Sequence, residues 1–282
     1  MSHFVSAPQT VRRLLAGGAL IGLLAAGAAL AAQDGAAAPP DFQSNGVGWI
    51  ATSNDYINPP AGPRPVTYDP AYPYVPNGRG EQPTFRVADV HNPNLKPWAS
   101  EQMKKENEAV LGGKIAFTAR SSCMPAGVPD FLMFIVEPIY FIQTPKEVLM
   151  VYAGNQETRH VYMNVAHSPN PKSSWYGESV GHYEGNTLIV DTIGMNAKTY
   201  VDNYRTPHSE KLHVVERWKL IDGGRTLEAS FTAEDPDTFN QPWSAIQRYR
   251  RVQQGPLDEQ VCAENNAAMF DYGIPQAGKP DF

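Results

Sequence analysis

The sequence predicts an all-β protein in which an antiparallel meander of strands closes into a barrel. From about residue 114 to residue 252, short segments rich in Val, Ile, Tyr, Phe, Trp and Thr are separated by tight turns. No long helical pattern interrupts these segments, which argues against a parallel sheet. Eight or so consecutive antiparallel strands most naturally curl into a barrel, and a two-sheet sandwich is the alternative.

Composition limits the class of protein. The 282 residues are 42% hydrophobic and 18% charged, so the chain is long enough to bury a sizeable core. The formal net charge of −6 argues against binding to nucleic acid or to an anionic membrane surface. We therefore expect a small-molecule ligand or substrate, while the oligomeric state stays open.

The N-terminus has the pattern of an export signal. Arg12 and Arg13 precede a run rich in Ala, Leu and Gly, and Ala29-Leu30-Ala31 fits a signal-peptidase site. We expect residues 1–31 to be a cleaved signal peptide, on the Sec or the twin-arginine route, which makes the mature protein periplasmic or secreted without membrane insertion. A retained anchor is the alternative, but the run is short for a membrane span.

The next segment, 32–93, is dense in Pro and Gly and is expected to be irregular, because proline removes amide donors. It forms either a disordered leader or a strap that packs on the domain, and its aromatic residues favour a strap for part of it. One N-terminal helix follows over 98–111, with Pro97 near its first turn and Gly112-Gly113 at its end. Residues 94–282 then form one domain of helix plus barrel.

The predicted strands are defined by β-branched and aromatic residues between turns. They are 139–143, 148–152, 159–165, 179–183, 187–192, 212–221, 226–234 and 244–252.

The last long hairpin can be registered from its turn at residues 222–225. This turn pairs Glu216 with Phe231 and Trp218 with Ala229, and it places Glu216 alone on an otherwise apolar face. A buried carboxylate needs a partner or a raised pKa. Glu216 is therefore the first candidate catalytic residue, and Arg248 or another basic group is a candidate partner.

A second hairpin turns at residues 184–186, and its predicted register places His182 on an apolar face with Val180, Leu188 and Val190. If both apolar faces line one interior, His182 and Glu216 form a general acid–base pair. A purely structural polar pair is the alternative. Ser179 lacks the strand–elbow–helix context of a hydrolase nucleophile and is interpreted as structural.

The connection 194–210 between these hairpins is long for a meander, as lids and binding loops often are. Tyr200 and Tyr204 are candidate substrate-binding residues, and His208 is a third candidate catalytic residue. A metal site built from His160, His182 and His208 stays open as an alternative, although no metal motif is present. No cofactor motif is found, and we expect no cofactor.

Cys123 and Cys262 are the only cysteines, and both lie beside turn-like sequence. In an oxidising compartment we expect them to form a disulfide.

The chain resembles a family of secreted bacterial proteins of uncharacterised function. The resemblance rests on the run 175–192 (WYGESVGHYEGNTLIVDT), on Pro207-His208-Ser209-Glu210 and on Glu216-Arg217, and it extends to the segments at both cysteines. It implies a lipocalin-like barrel, an exported protein and, for some members, action on small aromatic or lignin-derived compounds. The family pattern often has His at position 178 and Arg at position 182, which weakens the case for His182 as a base.

Two functions follow from the sequence. The first is a cofactor-independent exported enzyme, of lyase or hydrolase type, that acts by acid–base chemistry on a small, partly aromatic molecule in an apolar barrel pocket. Its candidate substrate-binding residues are Trp218, Phe231, Tyr249, Tyr200, Tyr204 and Asp191. The alternative is a periplasmic protein that binds a hydrophobic or aromatic ligand without catalysis.

Overall fold

Nine strands form a closed barrel in which each strand pairs with the next and the first pairs with the last. The computed structural model describes residues 38–43, 46–72, 86–112, 118–120, 123–133, 137–154 and 157–253. The strands are β1 (Val47–Ala51), β2 (Ile139–Gln143), β3 (Glu147–Tyr152), β4 (Thr158–Met163), β5 (Glu178–Glu184), β6 (Thr187–Ile193), β7 (His213–Ile221), β8 (Thr226–Glu234) and β9 (Trp243–Gln253). The predicted barrel is confirmed, and the sandwich is excluded.

All eight predicted strands are present as β2 to β9, with ends within two residues of those expected. Among the described residues there is one α-helix, α1 (Pro97–Leu111), which begins at the proline and ends before Gly112. None of the helices in that part of the chain is long and apolar enough to cross a membrane.

The first strand was not predicted, because it lies in the segment expected to be irregular. Strand β1 is only five residues long, and its hydrogen-bond partner β9 lies at the other end of the described chain. Trp49 anchors β1, since its buried ring donates a hydrogen bond from Nε1 to the Phe42 carbonyl at 2.8 Å. The described segment around β1 and the barrel belong to the same compact unit.

The expectation of a wholly antiparallel meander was wrong at one pair. Strand β5 runs parallel to β4, with Val161 beside Ser179, and all the other neighbouring pairs are antiparallel. The connection 164–177 returns the chain to the starting end of β4 without a helix, so the absence of helices did not exclude a parallel pair. This connection ends with Trp175 and Tyr176, both partly buried, just before β5.

Candidate functional site

Strands β7 and β8 pair in the predicted register, with Glu216 opposite Phe231 and Trp218 opposite Ala229. Side chains alternate between the two faces of a strand, so this register directs Glu216 into the barrel. Its side chain is fully buried. The sequence therefore located the isolated acid correctly.

The partner of Glu216 is Arg159 on β4, whose side chain is also fully buried. The guanidinium donates from Nη1 to Oε1 at 3.0 Å and from Nη2 to Oε2 at 2.5 Å, which is a two-bond carboxylate pair. Arg248 instead pairs with Glu228. Arg159 lies on the same face of β4 as Val161 and Met163, so period-two alternation contained the signal that it points inward.

Two hydroxyls complete the polar cluster around Arg159. Nη2 donates to the Thr192 hydroxyl at 2.8 Å and Nε donates to the Ser179 hydroxyl at 3.3 Å, and these hydroxyls are 2.9 Å apart. A charge pair with its hydrogen bonds already satisfied has little capacity to move a proton. The arrangement is that of a structural pair.

The aromatic candidates for substrate binding pack against each other and against further aromatic rings. Trp218 stacks on Tyr249 at 5.6 Å between ring centroids, and Phe231 contacts Trp243 edge-on at 5.5 Å. All are at most 2% exposed, and the Tyr249 hydroxyl donates to the Leu132 carbonyl at 2.8 Å. The candidates Trp218, Phe231 and Tyr249 thus belong to the barrel core and line none of the clefts described below.

The predicted inward position of His182 was wrong. Strands β5 and β6 pair Tyr183 with Leu188 and Ser179 with Thr192, one residue away from the predicted register. A one-residue shift exchanges the two faces of a strand, so His182 points outward with a side chain that is 52% exposed. It contacts Glu184 at 3.3 Å and has no part in the Glu216 cluster.

The loop 194–210 holds its candidate residues in separate environments. His208 is buried, receives a hydrogen bond at Nε2 from the Thr199 hydroxyl at 2.8 Å and donates from Nδ1 to the Ser209 carbonyl. Burial lowers the pKa of His208, so its ring is neutral and fully bonded. Tyr204 donates to Asp55 at 2.7 Å, and Tyr200 is partly buried beside the Tyr200–Pro207 bridge.

Asp191 lies on the outer face of β6 between two imidazoles. His167 and His213 approach its Oδ1 at 3.0 and 2.8 Å, and the other ring nitrogen of His167 contacts Glu178 at 3.0 Å. In the described part of the chain, no group of three or more His, Cys, Asp or Glu side chains is arranged to hold a metal ion. The alternative metal site was predicted from His160, His182 and His208. These three side chains contact different partners, namely Glu147, Glu184 and Thr199 respectively.

The structure shows a cleft of about 400 Å³ on the outside of β4 that the sequence had not indicated. Its walls carry His160 and Tyr162 from β4 and Trp175 and Tyr176 from the 164–177 connection. We call it the aromatic cleft. Its volume falls in the range typical of small-molecule sites, and Pro125, Glu157, Thr158, Ser174 and Gly177 complete its lining.

His160 in this cleft is oriented by a carboxylate. Its Nδ1 lies 2.5 Å from Oε1 of Glu147 on the neighbouring strand β3, so Nδ1 carries the proton that the carboxylate accepts. Nε2 makes no hydrogen bond to any described residue and is left with a free lone pair. An imidazole held in this tautomer is suited to accept a proton.

One wall of the cleft is held by Tyr176, whose hydroxyl donates to Oε2 of Glu157. Burial, and then the negative charge of Glu157, raise the pKa of Tyr176. Gly177 allows this placement, because a Cβ at that position would lie 2.2 Å from the Ile193 carbonyl oxygen. Beside Trp175, the Lys198 ammonium lies 5.9 Å from the ring centroid, within cation–π range.

Sequence comparison adds no assignment to this geometry. The chain matches no family model, no curated protein and no solved structure. Of the predicted disulfide, Cys262 lies outside the described residues, so the pairing with Cys123 stays a prediction.

Proposed function

We propose that the protein is a cofactor-independent enzyme, of lyase or hydrolase type, that acts by acid–base chemistry on a small, partly aromatic molecule. The site is the aromatic cleft rather than the barrel interior. The observation that carries the proposal is the Glu147–His160 pair at the edge of a cleft walled by aromatic rings.

In this reaction His160 removes a proton from the substrate or from a water molecule, and Glu147 stabilises the imidazolium that forms. Trp175 and Tyr162 hold the aromatic part of the substrate, since ring pairs favour stacked or edge-on contacts. The Tyr176–Glu157 pair positions the cleft wall. The proposal keeps the predicted reaction class and replaces the predicted residues Glu216, His208 and His182.

Binding without catalysis is the second candidate. The observation that favours it is the exposure of the pair, 51% for the His160 side chain and 30% for Glu147, because catalytic groups usually lie in sites that exclude water. In this version the protein is a periplasmic binding protein for an aromatic ligand.

Two probe reactions test the enzyme. Hydrolysis of p-nitrophenyl acetate tests the hydrolase form, and dehydration of 3-hydroxy-3-phenylpropanoate to cinnamate and water tests the lyase form. In whichever reaction the wild type catalyses, we expect His160→Gln to lower kcat by roughly 10²- to 10⁴-fold, the usual range for a lost general base. Glu147→Gln should give a smaller loss.

The same assay separates the alternatives. Loss of turnover in His182→Gln but not in His160→Gln would overturn the assignment of the base. Saturable binding of 3-phenylpropanoate that Trp175→Ala abolishes, in a protein that turns over neither probe, would favour the binding protein.

Three further features belong to the proposal. Export by the 1–31 signal peptide would place the enzyme in the periplasm or outside the cell, where a Cys123–Cys262 disulfide is stable. The proline-rich segment would act as a strap along a lipocalin-like barrel. Its isolated bridge from Ile57 to Ile246 of β9 supports this role.

A further inference from the structure

A second cleft lies between the proline-rich segment and the loop that precedes β9. It has a volume of about 490 Å³ and shares Arg64, Pro65, Asn92 and Asn94 with a narrow gap beneath it. The bottom of the gap is formed by Asp202, Thr206 and Trp243. We call the cleft and the gap together the strap site.

The strap site ends on buried polar atoms with unused hydrogen-bonding capacity. Asp202 is 1% exposed and Trp243 is 2% exposed, yet Oδ2 of Asp202 and Nε1 of Trp243 make no hydrogen bond to any described residue. The Thr206 hydroxyl lies close enough to lower the pKa of Asp202 but makes no bond of normal length. Native proteins rarely leave such atoms unpaired, so this cluster points to a ligand.

The chemistry of the three groups defines the ligand. The indole donates, the carboxylate accepts and the hydroxyl does both, and a ligand hydroxyl can also donate and accept. The rings of Trp243 and Phe239 add an apolar surface beside these polar atoms. This combination fits a molecule with several hydroxyl groups and an apolar carbon face.

Pro65 and Val66 form the wall over the gap; both are buried, and Val66 packs in the hydrophobic core. Ile57 exchanges backbone hydrogen bonds with Ile246 at 2.8 and 3.0 Å, and Asp89 donates to the Thr67 carbonyl at 2.8 Å, so both ends of the segment are fixed. Between these ends, the Asn92 side-chain amide donates two hydrogen bonds of 3.3 Å, to the carbonyls of Arg64 and Pro65. Entry of a ligand hydroxyl into the gap therefore requires an outward movement of Pro65 and Val66.

We propose that the strap site binds a small neutral polyol or monosaccharide, with one ligand hydroxyl between Asp202 and Trp243. This site is independent of the aromatic cleft and of the proposed acid–base reaction. Burial, opposed by hydrogen bonds from Thr206 and Tyr204 and assisted by the charge of Asp130, raises the pKa of Asp202 to about 6. A ligand hydroxyl that donates to Oδ2 stabilises the ionised form. Binding therefore weakens as the pH falls below about 6.

The test follows the tryptophan indole N–H signals of the full protein by NMR during titration with glucose, ribose and glycerol at millimolar concentrations. Benzoate and methylammonium are titrated in the same way. We expect saturable movement of the Trp243 signal with at least one polyol, and no movement with either ion. Trp218, equally buried with an equally unpaired Nε1 in the barrel core, is the internal control.

Variants make the test specific. Asp202→Asn should weaken polyol binding at pH 7 by about tenfold or more and remove its dependence on pH, and Trp218→Phe should leave the affinity unchanged. Three outcomes would each overturn the proposal. They are the absence of any saturable shift of the Trp243 signal, equal shifts of the Trp243 and Trp218 signals, and a response to benzoate alone. If Trp243→Phe fails to fold, the pH dependence in Asp202→Asn still decides it.

Discussion

At the residue scale, the Arg159–Glu216 pair shows how the interior accommodates ions. Both side chains are fully buried, and the arginine is bonded to Glu216, Ser179 and Thr192. Removal of one member of such a pair leaves the other charge buried without its counterion. Because the desolvation cost of two ions offsets much of their attraction, replacing both members by apolar residues costs less.

We therefore expect Glu216→Gln to lower the free energy of unfolding by about 3 to 5 kcal/mol. Urea denaturation measures this loss. The double variant Arg159→Met with Glu216→Leu should lose less than Glu216→Gln does. Equal or additive losses would contradict a coupled structural pair, and lost turnover with unchanged stability would restore Glu216 as a catalytic residue.

At the element scale, β-branched and aromatic residues between turns located eight strands, and the β7–β8 turn located Glu216. Local pattern was insufficient in two places. Strand β1 depends on hydrogen-bond partners in β9, far away in the sequence. The sequence of β5 is compatible with two pairing registers to β6, because Gly181 adds no apolar side chain that would mark the buried face. The aromatic cleft combines β4 with the end of the 164–177 connection, and the sequence does not show that these meet.

The register of β5 is testable with two adjacent substitutions. Tyr183 points inward, is half-buried and accepts a hydrogen bond from Gln143 at 2.8 Å, whereas His182 points to solvent. We expect Tyr183→Ala to destabilise the fold by about 2 kcal/mol or more, and His182→Ala to change it by less than about 0.5 kcal/mol. Thermal unfolding of both variants would contradict the register if the order were reversed.

At the scale of the whole molecule, buried acids shape the response to pH. Burial raises the pKa of Asp202 from 3.8 to about 6 and also raises that of Asp130, whereas hydrogen bonds from Ser209, Thr238 and Asp237 outweigh partial burial and lower that of Asp235. A raised pKa means that the folded protein binds the Asp202 proton more tightly than the unfolded chain does. Stability from this group is thus present at low pH and is lost as the pH rises from about 4 to 6.

Asp202→Asn should remove this contribution. Between pH 4 and pH 7, we expect the variant to gain stability relative to the wild type by up to about 3 kcal/mol, which is the free energy of the pKa difference. Urea denaturation of both proteins across this range isolates the effect from Asp235 and the other acids. If the difference in the free energy of unfolding between the two proteins did not change with pH, Asp202 would already be ionised at low pH.

The pairing of β1 with β9 also constrains the order of events during synthesis. Val47 and Gln253 come from opposite ends of the described chain, so the seam of the cylinder cannot be sealed until the ribosome has made the last strand. The hairpins from β5 to β9 join strands that are close in sequence, so they can form first. The backbone amide groups that β1 will pair with β9 stay exposed until then. The barrel is therefore closed by pairing the first-made of its nine strands with the last, and until then it presents an open edge to other chains.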